Sequence, residues 1–490
     1  MDQYKDYYRL PLLLKRFRFG DKMSRLFYMS QFDQKLWLTG AHDKKSRTYL
    51  PWVLEQLCML FVDSKNEYGN QTLDERIFGK IYNTVYDHSA EFIHPDDTAT
   101  FASDMMQVMG LTQFKLSQRD SILWYRHNYL FNYCSEKVDV RSAYLEKFGA
   151  NFVDYVQMAY VCNRLSAMPE AYKYWDVYVY AFKASFPQCM PALTILRDEY
   201  IELNKRFSAG NIDNYSYCVR PSYQYAFIQE KNSLYFPLPH LLTMNITSGF
   251  MYRLTEDNNK LRSDIGKFVL EDYLYDLIEG AHSYDKVFRE QKYNSAQGGN
   301  AQSPDVIARC NDEIVLFECK STVPRMGIRW LAREEIEEQI NRVADHIRQL
   351  YKQMKVFSRY NPFPEQEYSY DQLWGIVVIQ EDPYVDRRKL YAKAAELLKI
   401  SPDSDDYNWL VRHIKVVELY EIEALHLFGM NCIGVLHALT DEARVYDVGF
   451  PACKSDGSFV HSAYSAFRDR HHEWSESLTE LLRKGGYLTQ

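Results

Sequence analysis

From Tyr49 to about Phe207 apolar residues return every three or four positions, as in Leu54, Leu57, Cys58 and Phe61 and again in Phe152, Tyr155, Val156, Ala159 and Tyr160. That interval keeps one stripe on one side of a 3.6-residue turn, so this half of the chain buries itself as packed helices. Breakers are scarce, with 20 glycines and 16 prolines among 490 residues. Pro169, Pro187 and Pro191 stand between periodic stretches, where a missing N–H and a fixed φ end one helix or begin the next. No fixed-period repeat is present, which argues against a solenoid. Between Tyr223 and Phe236, aromatic and β-branched residues around Lys231-Asn232-Ser233 predict two short strands and a turn.

Composition narrows the class further. A chain with 46% hydrophobic and 25% charged residues is globular, and its length predicts two to four domains. The formal net charge of −8 gives no global positive field toward nucleic acid or anionic lipid, so any basic surface must be local. No apolar run has the roughly 18 to 20 residues of a membrane span, and Asp2 and Asp6 with only Leu10 to Leu14 as an apolar stretch argue against a signal peptide. A cytoplasmic protein with no membrane partner is expected. The nine cysteines are dispersed without a CxxC pair and read as reduced core thiols. His461, His471 and His472 lack a paired HExxH spacing, Gly266-Lys267 lacks a P-loop frame, Gly298-Gly299 lacks GxGxxG, and GxSxG is missing.

Past about Ser263 the periodicity becomes mixed: helix Ile265 to Ile278, strands Lys286 to Tyr293, Asp305 to Arg309 and Ile314 to Lys320, helix Glu334 to Met354, and strand Leu373 to Ile379. A helix over Arg387 to Leu398, an acidic turn at Asp403 to Asp406 and a strand around Ile414 to Leu419 come next. Such an order predicts an α/β layer with a mixed central sheet. The expected division is a helical region over 1–210 for sensing, oligomerisation or partner binding, a linking hairpin and helix over 211–260, an α/β domain over 261–425 and an extension over 426–490.

Within that layer, Pro304 to Lys320 reads as a hairpin with Asn311-Asp312 at its turn, a pair that tolerates left-handed backbone angles. A two-residue turn there sets Cys310 opposite Glu313 and, five steps on, Asp305 opposite Glu318. Facing carboxylates repel unless one is protonated or a cation lies between them. Strand alternation puts Lys320 on the face of Glu318. Upstream, Glu271 borders the apolar stripe of its helix, and downstream Gln339 borders the stripe Ile336, Ile340, Val343, Ile347, Leu350 and Met354. Arg325, Arg329 and Arg333 around Trp330 form a candidate grip on backbone phosphates, or else a solvated face paired with Glu334, Glu335 and Glu337.

Pro304-Asp305 followed by Glu318-Cys319-Lys320 on a hydrophobic strand resembles the signature of the PD-(D/E)XK nuclease superfamily, over about 120 to 160 residues of the chain. The resemblance implies a restriction-endonuclease-like fold in which Asp305, Glu318 and the backbone carbonyl of Cys319 hold Mg²⁺ or Mn²⁺. Lys320 then orients or activates the attacking water, Glu271 matches the acid many members carry on their first helix and joins the catalytic and metal-binding set, and Gln339 matches a glutamine on the following helix and joins the nucleic-acid contacts. The activity so implied is that of a metal-dependent endonuclease acting on DNA, gated through the helical half by a protein trigger or a homo-oligomer. By analogy, such a protein serves defence against phage or plasmids. An RNA-directed nuclease on the same site, and a scaffolding protein that keeps the fold without catalysis, are the competing expectations.

Overall fold

The computed structural model describes residues 5–39, 49–69, 71–91, 98–112, 118–166, 175–294, 300–359, 368–438 and 463–467, with single positions 469, 476 and 480. His461, His471, His472 and the Gly298-Gly299 pair lie outside them.

One long helix, α1 (Phe19–Thr39), precedes the periodic stretch, which itself forms eight among the described residues: α2 (Pro51–Asp63), α3 (Glu75–Glu91), α4 (Thr98–Thr112), α5 (Asp120–Asn132), α6 (Val140–Phe148), α7 (Phe152–Ser166), α8 (Trp175–Ser185) and α9 (Arg197–Phe207). Helix α2 is apolar on nearly every side, and all residues from Val53 to Val62 are buried, so it is the hub of the first core. The expected hairpin is present as β2 (Phe227–Glu230) and β3 (Ser233–Tyr235), reversing at Lys231 with φ +53°. An unexpected third strand, β1 (Thr194–Leu196), pairs in parallel with β2. Three residues are too few to show a two-residue period, so pairing with a strand some thirty positions away supplies what local pattern lacks.

The second half is a five-stranded sheet in the order β10 (Ile414–Glu418), β9 (Leu373–Ile379), β8 (Glu313–Lys320), β7 (Val306–Cys310), β4 (Lys286–Arg289). Its β8, β9 and β10 run parallel, while β7 is antiparallel to both of its neighbours, β8 and β4, which makes it mixed as expected. The stretch read as one strand over Lys286 to Tyr293 is divided. Its second part, β5 (Lys292–Asn294), pairs instead with β6 (Asn300–Gln302).

Alternation sorts the sheet's side chains onto two cores. Val315, Phe317, Trp374, Ile376 and Val378 face a cluster shared with the helical half, whereas Leu316, Val377, Ile379 and Val416 face the opposite one. Covering the first face are α10 (Asn259–Asp264), a π-helical turn Ile265–Val269 and α11 (Leu270–Gly280), which continue one another. Covering the second are α12 (Arg333–Arg359) and α13 (Arg387–Leu398), with the apolar stripe of α12 from Ile336 to Met354 buried. The acidic segment expected as a turn begins a helix, α14 (Asp405–His413). Ser404 accepts the Tyr407 N–H as its N-cap, and Asp405 and Asp406 lie in the first turn, where the helix dipole favours negative charge. No described helix is long and apolar enough to cross a membrane.

Two buried polar networks lock this arrangement. Arg126 of α5 donates to both carboxylate oxygens of Glu423 on α15 (Leu419–His426) at 2.7 and 2.6 Å, and Tyr273 of α11 donates to the same group. In the first core, Glu55 of α2 receives Arg220 at 2.8 Å and Tyr223 at 2.8 Å, and pairs with His240 at 3.1 Å. His240 in turn contacts Ser30 at 2.8 Å. Serine, histidine and acid are aligned here, but Ser30 and Glu55 are buried in packed core, so the relay is structural.

Replacing Glu423 by Ala leaves the Arg126 guanidinium buried and unpaired, and urea unfolding is expected to show a loss of about 3 to 5 kcal/mol. Burial, with help from Arg126, lowers the pKa of His127 to about 3, so the native state keeps it neutral while the unfolded chain takes a proton below about 6.5. The stabilisation from His127 is complete above 6.5 and lost as pH falls toward 3, with a limiting slope of about 1.4 kcal/mol per pH unit. Denaturation between pH 7 and 4 should show this fall, and His127→Gln should flatten it.

Candidate functional site

The hairpin register is the one read from the turn: Cys310 faces Glu313 and Val306 faces Phe317, with Asn311 at φ +53°. Asp305, one residue before β7, is therefore carried to the end of β8, where the Cys319 N–H donates to its Oδ2 at 2.6 Å. Two residues apart on β8, Glu318 and Lys320 meet through an ion pair, Nζ to Oε1 at 2.6 Å. The other carboxylate oxygen of Glu318, Oε2, is buried without a hydrogen-bond partner, and the residue is 7% exposed. The Cys319 side chain faces the apolar core, so what this residue brings to the site is backbone.

Glu271 enters from the first turn of α11. Its helix approaches closely because Gly266, in the π-helical turn, has no side chain; a Cβ there would come within 2.5 Å of the Ser321 hydroxyl, just past Lys320. Burial, the negative charge of Glu290 and then that of Glu318 raise the Glu271 carboxyl to about 7, against the pull of Lys320 and Lys267. Asp305 is raised to about 8 by burial, by Glu318 and by Glu271, although the Cys319 N–H and Lys320 favour its anion. Lys320 is held protonated: burial disfavours its charge, but Glu318 and Asp305 outweigh that. Three acids and one amine thus converge, and at Asp305 and Glu271 burial together with the neighbouring acids outweighs the pull of the amine.

Helix α12 carries two further polar side chains, of which His346 lies close enough to feel the charge of Lys320. Gln339 is fully buried, and neither atom of its amide has a hydrogen-bond partner. His346, seven residues further along the same helix, contacts the Thr322 hydroxyl at 3.2 Å and is lowered to about 4 by burial and by the charges of Lys320 and Arg342. Neither Thr322 nor His346 stands out in the sequence. The available signal is the seven-residue spacing from Gln339 to His346 beside the apolar stripe.

The arginines expected to grip phosphates take other places. Arg333 makes a two-pronged contact with Asp104 of α4, both at 2.6 Å, and Arg329 is buried and donates to the Leu111 carbonyl at 3.3 Å. Both fasten the α/β layer to α4, while the Arg333 side chain keeps 56% of its surface exposed. Arg325 remains at the surface, paired with Glu338.

Among the described residues, no three His, Cys, Asp or Glu side chains stand close enough to form a ready-made metal cage. Mg²⁺ does not require one, because it binds through one or two carboxylates and keeps several waters. The residues fit such an ion by an independent sign, the orphaned Glu318 Oε2 within a crowd of mutually repelling carboxylates. An all-oxygen donor set suits Mg²⁺ or Mn²⁺ over softer metals. Comparison with protein-family models, with curated proteins and with solved structures finds no match.

Removing one acid should relieve the repulsion. Glu271→Gln is expected to melt at least about 2 °C above the parent at pH 8 in EDTA, by differential scanning fluorimetry. A lower melting temperature would show that Glu271 is held by attraction instead.

Proposed function

We propose that the chain is a metal-dependent nuclease with a restriction-endonuclease-like α/β domain, acting on DNA. The observation that carries this reading is the juxtaposition of Asp305, Glu318, Lys320 and Glu271, with the buried, unpartnered Glu318 Oε2 and two carboxyls raised far above their usual range. Such perturbed acids gather at functional sites. Support comes also from the mixed sheet flanked by helices, with Asp305 and Glu318 at the open end of the β7–β8 hairpin and Glu271 on the helix beside it.

Asp305 and Glu318 would hold the divalent ion, which when bound lowers the pKa of a coordinated water and polarises the phosphoryl group. Lys320, kept as an ammonium by Glu318, orients the nucleophilic water and stabilises charge on a phosphoryl oxygen. Glu271, its carboxyl near 7, is matched to accept a proton at neutral pH. The net charge of −8 disfavours standing, nonspecific binding to DNA, which supports a nuclease gated by its helical half.

Plasmid incubated with the purified chain and Mg²⁺ or Mn²⁺ is expected to be cut, with EDTA abolishing the reaction. Lys320→Ala and Asp305→Ala should each lower the rate by about 100-fold or more, the usual loss when one group stabilising the transition state is removed. Cleavage that persists in both variants sinks the reading. RNA offered in parallel decides the substrate.

A further inference from the structure

Beside the carboxylate site lies a second feature that the nuclease reading does not use, a half-enclosed cavity of about 990 Å³ between the helical half and the α/β layer. Its size is at the upper end of the roughly 300 to 1,000 Å³ range of small-molecule sites and far too small for a duplex. One wall belongs to the helical side and carries Met244, Met251 and the half-buried ring of Tyr252. The opposite wall is the loop that leaves β8 at Ser321, together with the first turns of α12.

Five arginines line the cavity: Arg126 is held by Glu423 and Arg329 by the Leu111 carbonyl, and the other three come from separate segments, Arg262 on α10, Arg325 on the loop after β8 and Arg342 on α12. They crowd one another, since burial and the charges of Arg325 and Arg262 all lower the proton affinity of Arg342. Four acids share the lining: Glu338 pairs with Arg325, Glu335 accepts the Gly327 N–H at 3.0 Å, Glu334 sits in the first turn of α12 where the dipole favours it, and Glu381 follows β9. Like charges drawn together at a cavity mouth are stabilised by an anion, and guanidinium forks match phosphate oxygens. The apolar and aromatic wall opposite suits a flat, hydrophobic body attached to that anion.

We propose that this cavity binds a phosphate-bearing nucleotide, its phosphate taken by Arg262, Arg325 and Arg342 and its base laid against Met244, Met251 and Tyr252. The same chemistry is offered by a free nucleotide and by the end of an unpaired strand. Either occupant touches both the helical half and the loop that begins one residue after Lys320. The proposal stands whether or not the carboxylate site cuts nucleic acid.

Binding to the full chain is measured in EDTA, so that cleavage plays no part, with ATP, 5′-fluorescein-labelled (dT)8 and inorganic phosphate as probes. ATP or the octamer is expected to bind, with inorganic phosphate weaker, and the Arg262→Ala/Arg342→Ala pair should weaken binding at least 10-fold. The Lys320→Ala variant should bind as the parent does. Tighter binding of ATP identifies a free nucleotide as the occupant, and tighter binding of the octamer identifies a strand end. Arg342→Lys, which keeps the charge, should retain part of the affinity, and melting temperatures report whether each variant is folded. Absence of binding by both ATP and the octamer overturns the proposal, as does equal affinity in the folded double-alanine variant. Cleavage without such binding would leave the nuclease reading intact and remove this one, and binding without cleavage would do the reverse.

Discussion

Asn311 holds a left-handed backbone angle of φ +53°, and that reversal sets the register of β7 on β8. A slip of one residue would turn every side chain of β7 to the other face of the sheet. With the register as it is, Asp305 reaches the Cys319 N–H, while Glu318 and Lys320 share a face. The same alternation sends Val315 and Phe317 into one core and Leu316 into the other, so one pairing decides both the packing of the layer and the charge cluster at its end.

That cluster opposes folding, and the surrounding structure holds it together. Raised carboxyls at Asp305 and Glu271 mean that their negative forms are unfavourable where they stand. The opposing attachment is made elsewhere: the buried Arg126–Glu423 pair joins α5 to α15, and the large apolar cluster includes residues of the helical half, of α11 and of the sheet. Local electrostatic repulsion at a site, held by packing around it, is the usual pattern for groups that act on a ligand.

Much of this is legible in the sequence because it is local. The turn at Asn311, the strand Leu373–Ile379 and the helix Arg387–Leu398 each announce themselves within a few residues through turn chemistry or period. The π-helical turn before Glu271 is not legible, since the alternation of apolar residues hardly differs between it and an ordinary helix. The helix Asp405–His413 is masked by its own acids, which serve as first-turn charges and not as a loop. The contacts of Arg329 and Arg333 are not legible because their partners, Leu111 and Asp104, lie more than 200 positions away in sequence.

The sequence by itself determined a helical first half, a mixed α/β second half, and the placement of two acids and a lysine at one end of a hairpin. Those features arise from backbone sterics and side-chain alternation, which act over one turn or one strand. Only the tertiary structure decided what each nearby arginine pairs with and which of them line a cavity, and how far burial raises the carboxyls of Asp305 and Glu271. Desolvation and ion pairing depend on what the whole chain packs around a group, and no local pattern carries that information.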